Sequence, residues 1–274
     1  MKKRLIGLLI TGTLVLTLGL TACTGKKGEE TRRSAEEITL SVGATPVPHA
    51  ELLELVKSDL AAQGITLRVV EFTDYVQPNL AVLNGDLDAN FFQHIPYLNS
   101  NDEWSARLTS AFGVHVEPFG LYSTKFNDVA ELPNRASIAI PNDPSNGGRA
   151  LLLLQARGLI TLREEAGLRA TPRDITDNPR NFRFQELEAA QLPRSLQDVD
   201  AATINGNFAL QAGLNPLQDS LIIEGADSPY VNIMVVQKGN ENDSRIIALK
   251  NALLSDKVRV FINNRYNGGV APVF

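Results

Sequence analysis

Apolar and polar residues alternate through Ile-Thr-Leu-Ser-Val at 38–42, the period of a strand with one face buried. A Pro-rich loop follows at 43–48. Leu52, Leu53, Val56 and Leu60 then recur at helical spacing, which predicts a helix over 49–63 with Gly64 placed to end it. Residues 67–72 read as a second strand, and Asp74-Tyr-Val-Gln-Pro-Asn79 opens a second helix that Asn84-Gly85 closes. Residues 87–92 read as a third strand with Gln93-His94-Ile-Pro-Tyr97 at its tip. Strands alternating with helices argue for parallel pairing through crossover helices, with any ligand chemistry at the strands' carboxyl ends.

The same alternation begins again after residue 135. Residues 136–140 are a short apolar strand, 141–148 a Pro- and Gly-rich loop, and 149–157 a helix with Gly158 after its last turn. Strands are expected at 182–187 and 199–205, with a short helix or turn at 192–196. Two extended runs, 115–122 and 229–237, lie where the chain would pass between two such units, and a helix is expected over 243–266. The expected fold class is therefore α/β with two lobes, each a mostly parallel sheet flanked by helices. Lobe one takes 38–120 and 233–274, lobe two takes 121–232, and a cleft lies between them.

The first 37 residues follow neither pattern. Lys2, Lys3 and Arg4 precede an uncharged run from Leu5 to Leu20, and Leu20-Thr-Ala-Cys23 closes it with small residues. This reads as a lipoprotein signal peptide over 1–22, cleaved before a lipidated Cys23. The competing reading, a membrane-spanning anchor, needs about 20 apolar residues, more than this run supplies. Residues 23–37 are then the lipidated cysteine and a charged, flexible tether. Cleavage removes three positive charges and no acids, taking the net charge from −5 to −8. An acidic body without basic clusters argues against nucleic-acid binding and against electrostatic membrane binding, and the chain's one cysteine excludes an internal disulfide.

Enzymatic signatures are missing: no HExxH, GxSxG, P-loop or CxxC pattern occurs, and the histidines are scattered. No catalytic residue, metal ligand or cofactor is assigned. His49 and His115 read as structural or exposed, and Asp86 and Asp88 point to opposite faces of a strand. A binding site has more support. In the 141–149 loop, Asn142, Asp143, Ser145 and Asn146 are helix-capping types, Gly147 and Gly148 leave amides uncovered, and Arg149 adds a cation. That is a receptor for a carboxylate, or else an ordinary strand-to-helix turn with a surface arginine. Tyr75, Phe92, His94 and Tyr97 gather at loop tips of lobe one, while Asn205 and Asn232 offer amides opposite. An aromatic wall facing a carboxylate receptor suits a small zwitterion with an apolar side chain, although each aromatic alone could equally be core.

These residues resemble the methionine-binding lipoproteins of the NlpA type. The matching stretches are 72–79, 84–90, 92–97, 141–149, 188–196, 228–232 and 267–269, and the likeness runs from Ile38 to the C-terminus. Val47 and the Gly147-Gly148 pair depart from the family pattern, the latter implying a more flexible anion loop. The resemblance implies a two-lobed periplasmic-binding-protein fold with methionine closed in the cleft. Arg149 would pair with the ligand carboxylate, with Asn146 beside it. Asn205 and Asn232 would take the ammonium end, and Tyr75, Phe92, His94 and Tyr97 would enclose the thioether. It further implies L-methionine, or D-methionine, as ligand and the permease and ATPase of an ABC importer as partners. The place implied is the extracytoplasmic face of a cell membrane, reached through the lipid alone. Other readings are a receptor for another small apolar or sulfur amino acid or a methionyl peptide, and a surface lipoprotein with an adhesive role.

Overall fold

The computed structural model describes residues 38–225 and 228–274; the signal peptide, Cys23 and the tether lie outside them. No helix among the described residues is long and apolar enough to cross a membrane. The strands are β1 Ile38–Ala44, β2 Ile65–Glu71, β3 Ala89–His94, β4 Leu108–Val116, β5 Gly120–Tyr122, β6 Ser137–Pro141, β7 Thr161–Leu162, β8 Ile175–Asp177, β9 Arg183–Leu187, β10 Ala201–Ile204, β11 Ser220–Ile223, β12 Val231–Gln237 and β13 Ala271–Pro272. The helices are α1 Glu51–Ala61, α2 Gln77–Leu83, α3 Ile95–Leu98, α4 Asp102–Arg107, α5 Pro144–Ala156, α6 Leu192–Ser195, α7 Gly206–Gln211, α8 Pro216–Asp219, α9 Ser244–Leu253 and α10 Asp256–Tyr266.

Two main sheets result, ordered β13-β4-β12-β3-β1-β2 and β11-β5-β10-β6-β9. The strands that alternate with helices pair in parallel, β2-β1-β3 in one sheet and β9-β6-β10 in the other. Each sheet is nevertheless mixed rather than mostly parallel. The chain leaves the first sheet along β4 and returns along β12, so these neighbours must run in opposite directions. The same holds for β5 and β11 in the second sheet. The changes of sheet fall between 116 and 120 and between 223 and 231, so Val231 and Asn232 already belong to the returning strand of the first sheet.

Strand alternation divides the core. On the first sheet Phe91, Met234 and Val236 meet α1, α9 and α10, whereas Phe92, Ile233 and Val235 pack beneath α2 and Trp104. On the second sheet Ile138 and Ile140 meet Leu151 and Leu154 of α5, while Ala139 faces Leu192, Ile204 and Phe208. The four stripe residues of α1 are fully buried. Each contributes roughly 1.5–3 kcal/mol of transfer free energy.

Two expected helices differ. The single helix over 243–266 is two, broken at Leu254 and Ser255, where Leu254 leaves the helical region at ψ 31°. The break re-aims the apolar face, so Ile246, Leu249 and Leu253 and then Val258, Ile262 and Tyr266 reach one core. The helix expected from Arg149 begins at Pro144, because Asp143 caps it and Pro144 fits its first turn. Gly158 ends it with φ 68°, as the sequence pattern implied.

Candidate ligand site between the two sheets

The strands' carboxyl ends from both sheets converge on one cavity, with about 320 Å³ of atom-free space, mouth included. The first sheet's side contributes Tyr75 from the β2–α2 loop, Phe92 and His94 from β3, Tyr97 from α3 and Asn232 from β12. The second contributes Asn146 and Arg149 from α5 and Asn205, which precedes α7. All eight sequence candidates thus line the same space. Gln93, Glu117, Gly206 and Asn207 line it too and were missed.

The start of α5 is not an open anion receptor. The Asp143 carboxylate already accepts from Asn146 N–H at 2.9 Å, and Gly147 N–H donates to the Asp143 carbonyl at 2.8 Å. The glycines serve close approach rather than flexibility. A methyl on Gly148 would overlap the Leu168 carbonyl, and one on Gly147 would lie 2.8 Å from the Pro141 carbonyl oxygen. The Asn146 side chain is equally committed. Its Nδ2 donates to both Asp143 oxygens at 3.0 Å, while its Oδ1 accepts from Asn205 Nδ2 at 2.9 Å and His94 Nε2 at 3.1 Å. His94 Nδ1 accepts from Tyr97 N–H at 3.1 Å, which places the ring proton on Nε2. Burial, with Arg149 nearby, lowers the His94 pKa to about 3, so this ring is a neutral donor tying β3 to α5.

Arg149 is 4 % exposed and carries the positive charge. Its Nε and Nη2 donate to the two Glu224 oxygens at 3.0 and 2.5 Å, and Nη2 also donates to the Glu117 carbonyl at 3.1 Å. The guanidinium carbon lies 4.0 Å from the Tyr230 ring centroid and 4.9 Å from that of Phe119. The remaining nitrogen, Nη1, has no partner among the described residues. Glu224 and Tyr230 therefore hold the arginine in place, and neither was marked in the sequence.

Behind Asn232 lies a buried cluster. Glu117 Oε1 accepts from His115 Nε2 at 2.8 Å and lies 3.3 Å from His49 Nε2, which also donates to Asn232 Oδ1 at 3.0 Å. Thr45 Oγ1 holds the far nitrogen of His49 at 2.8 Å. His49 and His115 are both fully buried, which sets aside the exposed alternative for them. Burial lowers their pKa values to about 4 and about 3 and raises that of Glu117. Their ligand atoms lie within 4.8 Å of one another and are metal-ligand types, but both imidazoles address one oxygen at hydrogen-bond distance. Asp88, by contrast, accepts from Ser41 N–H and Oγ–H at 2.7 and 2.6 Å and pairs with Arg245 at 3.0 Å.

Across the cleft, Tyr75 O–H donates to Asn207 Oδ1 at 2.6 Å, and its ring stands 5.0 Å from Phe208 and 5.6 Å from Phe92 and Tyr97. Arg169 Nη2 bridges outside this, donating to the Ser100 carbonyl at 2.9 Å. Two buried lining atoms lack hydrogen-bond partners among the described residues, the acceptor Asn205 Oδ1 and the donor Asn207 Nδ2. An unpaired donor and an unpaired acceptor beside a guanidinium match a ligand with both kinds of polar end.

Two mixed α/β sheets, joined by two crossovers and enclosing a polar cavity, are the architecture of periplasmic substrate-binding proteins. Solved structures of that class match this chain. A nutrient-binding protein from Burkholderia cenocepacia bound to methionine gives a TM-score of 0.83 at 42% identity, over 86% of this chain and all of that one. An ABC transporter periplasmic substrate-binding protein from Coxiella burnetii gives 0.81 at 42% identity, over 85% of this chain and 100% of that one. Within that class the chain belongs to the NlpA lipoprotein family, whose sequence pattern matches residues 40–274. The membrane lipoprotein TpN32 of Treponema pallidum is 46% identical to it over 99% of both chains.

Proposed function

We propose that this protein captures methionine in the interlobe cavity and delivers it to an ABC importer, while lipid on Cys23 holds it at the extracytoplasmic face of a membrane. The carrying observation is the cavity itself, which joins a buried arginine, an unpaired amide donor and an unpaired amide acceptor to an aromatic wall. In this reading Arg149 Nη1 and Asn207 Nδ2 meet the carboxylate. Asn205 and Asn232 offer carbonyl oxygens to the ammonium. Tyr75, Phe92, His94 and Tyr97 enclose the thioether, whose polarisable sulfur suits aromatic surroundings. Asn146, with its amide already committed, acts by aligning Asn205 and His94. The ligand leaves chemically unchanged, and the two lobes, one built on each main sheet, close over it. Closure is favoured by as much as the ligand's affinity differs between open and closed states.

Calorimetric titration of the detergent-purified protein with L-methionine, D-methionine and leucine tests this. L-methionine is expected to bind tightest, and Arg149→Ala to lower its affinity by about 30-fold or more, the cost of a buried carboxylate without its cation. Preference for leucine would move the assignment to another apolar amino acid. Undiminished methionine binding by Arg149→Ala would remove the carboxylate role, and failure to bind any amino acid would refute the proposal.

A further inference from the structure

We infer that the Glu117 carboxylate is the counter-charge for the ligand's α-ammonium, and that it confines this site to free primary amino acids; the inference rests on the methionine reading above. Among the charged side chains lining the cavity, Arg149 is already matched by Glu224, which lies outside the lining. Glu117 is then the lining carboxylate that forms no ion pair with an arginine or lysine among the described residues, and its burial raises its pKa, which an ammonium beside it would offset. Its histidine neighbours are held neutral by burial, so they orient the carboxylate without cancelling its charge. A carboxylate offers about four acceptor sites. His115 and the Asn207 backbone N–H take two, and His49 divides its one proton between Glu117 and Asn232. A site is left for a donor from the cavity.

Local backbone is shaped around this group. A Cβ on Gly206 would lie 2.6 Å from the Glu117 Cβ and 3.1 Å from Oε2, so only glycine leaves the carboxylate its seat. An ammonium has three N–H donors. Asn205 Oδ1, Asn232 Oδ1 and Glu117 supply three acceptors lining the same cavity. The two amides alone would accept a hydroxyl or an acylated nitrogen almost as readily, whereas a buried carboxylate discriminates by charge. His49 and His115 are accordingly positioning residues.

The test compares L-methionine with 2-hydroxy-4-(methylthio)butanoate, which keeps the carboxylate and thioether but replaces the ammonium by a hydroxyl. Both are titrated into the full chain in detergent, wild type and Glu117→Gln. Wild type should prefer methionine by roughly 50-fold or more, and Glu117→Gln should erase most of that preference through weaker methionine binding alone. Glu117→Asp, which keeps the charge, should restore part of it. Equal loss for both ligands would assign Glu117 a purely structural role and overturn the inference. So would a wild-type preference under about fivefold, a readout that stands even where the glutamine variant fails to fold. Wild-type protein that binds neither compound would refute the methionine reading, and this inference with it.

Discussion

Glu224→Gln should push stability and ligand affinity in opposite directions. The Arg149 guanidinium is nearly buried, and Glu224 takes its Nε and Nη2 through two charge-assisted hydrogen bonds. Such bonds contribute about 1.5–3 kcal/mol each, roughly twice a neutral one. Glutamine keeps one carbonyl oxygen and turns an NH₂ toward the second donor, so one bond is lost and the other about halved, a sum of roughly 2–4 kcal/mol. The Glu224 side chain is 17 % exposed, so water recovers part of this and about 2 kcal/mol is expected. A ligand carboxylate then meets a cation released from its ion-pair partner, and methionine should bind about fivefold tighter or more. Urea unfolding of the empty protein gives the first quantity and calorimetry the second. An affinity that falls in the variant would refute the assignment of Arg149 to the ligand. A stability change under about 0.5 kcal/mol would show the Arg149–Glu224 pair to be energetically idle.

Three further outcomes are expected. Tyr75→Phe keeps the ring packing but removes the 2.6 Å bond to Asn207; methionine should dissociate about fivefold faster, and an unchanged rate would mean that this bond does not hold the closed state. Gly148→Ala drives a methyl into the Leu168 carbonyl and should cost roughly 1–3 kcal/mol, seen as a lower Tm; an unchanged Tm would show the 164–169 segment yielding freely. His49, His94 and His115 have folded pKa values lowered to about 4, 3 and 3. The unfolded chain therefore protonates them first, and the stability present above about pH 6.5 is lost as pH falls toward those values. Glu117, raised on folding, opposes this in part. Unfolding below pH 6 should thus take up protons, each worth ~1.4 kcal/mol per pH unit, and a flat denaturation profile from pH 7 to 5 would contradict the neutral burial of the histidines.

What the sequence made legible was the set of positions where parallel strands end. Tyr75, His94, Arg149 and Asn205 each follow a short apolar run, and such loops must meet at one edge of a parallel sheet, so their convergence followed from order alone. Asn146 shows the limit. Its presence at the cavity was foreseeable, but the prior claims of Asp143, Asn205 and His94 on its amide depend on contacts across the cleft. Glu117 and Glu224 escaped notice because each lies in a crossover, where no periodicity marks an inward position. An acid between His115 and Pro118 in an otherwise apolar run was the one available signal. The expected strand at 87–92 lies two residues later, at 89–94. Apolar pattern alone does not separate Leu87, which packs beneath α2 from outside the strand, from residues within it. The antiparallel edges were equally hidden, since they follow from where the chain crosses rather than from any local pattern.

The two crossovers lie side by side at both ends. Val116 is in register with Val231 where they leave the first sheet, and Gly120 with Ile223 where they enter the second. A body hung from another by two adjacent straps can swing about one axis, while twist and slide are resisted where the straps pair at their two ends. Glu117 sits on one strap and Glu224 and Tyr230 on the other, and all three touch or flank Arg149. On the capture reading proposed above, the pivot and the charge-reading parts of the cavity would be the same few residues, and recognition would act on the hinge at its source.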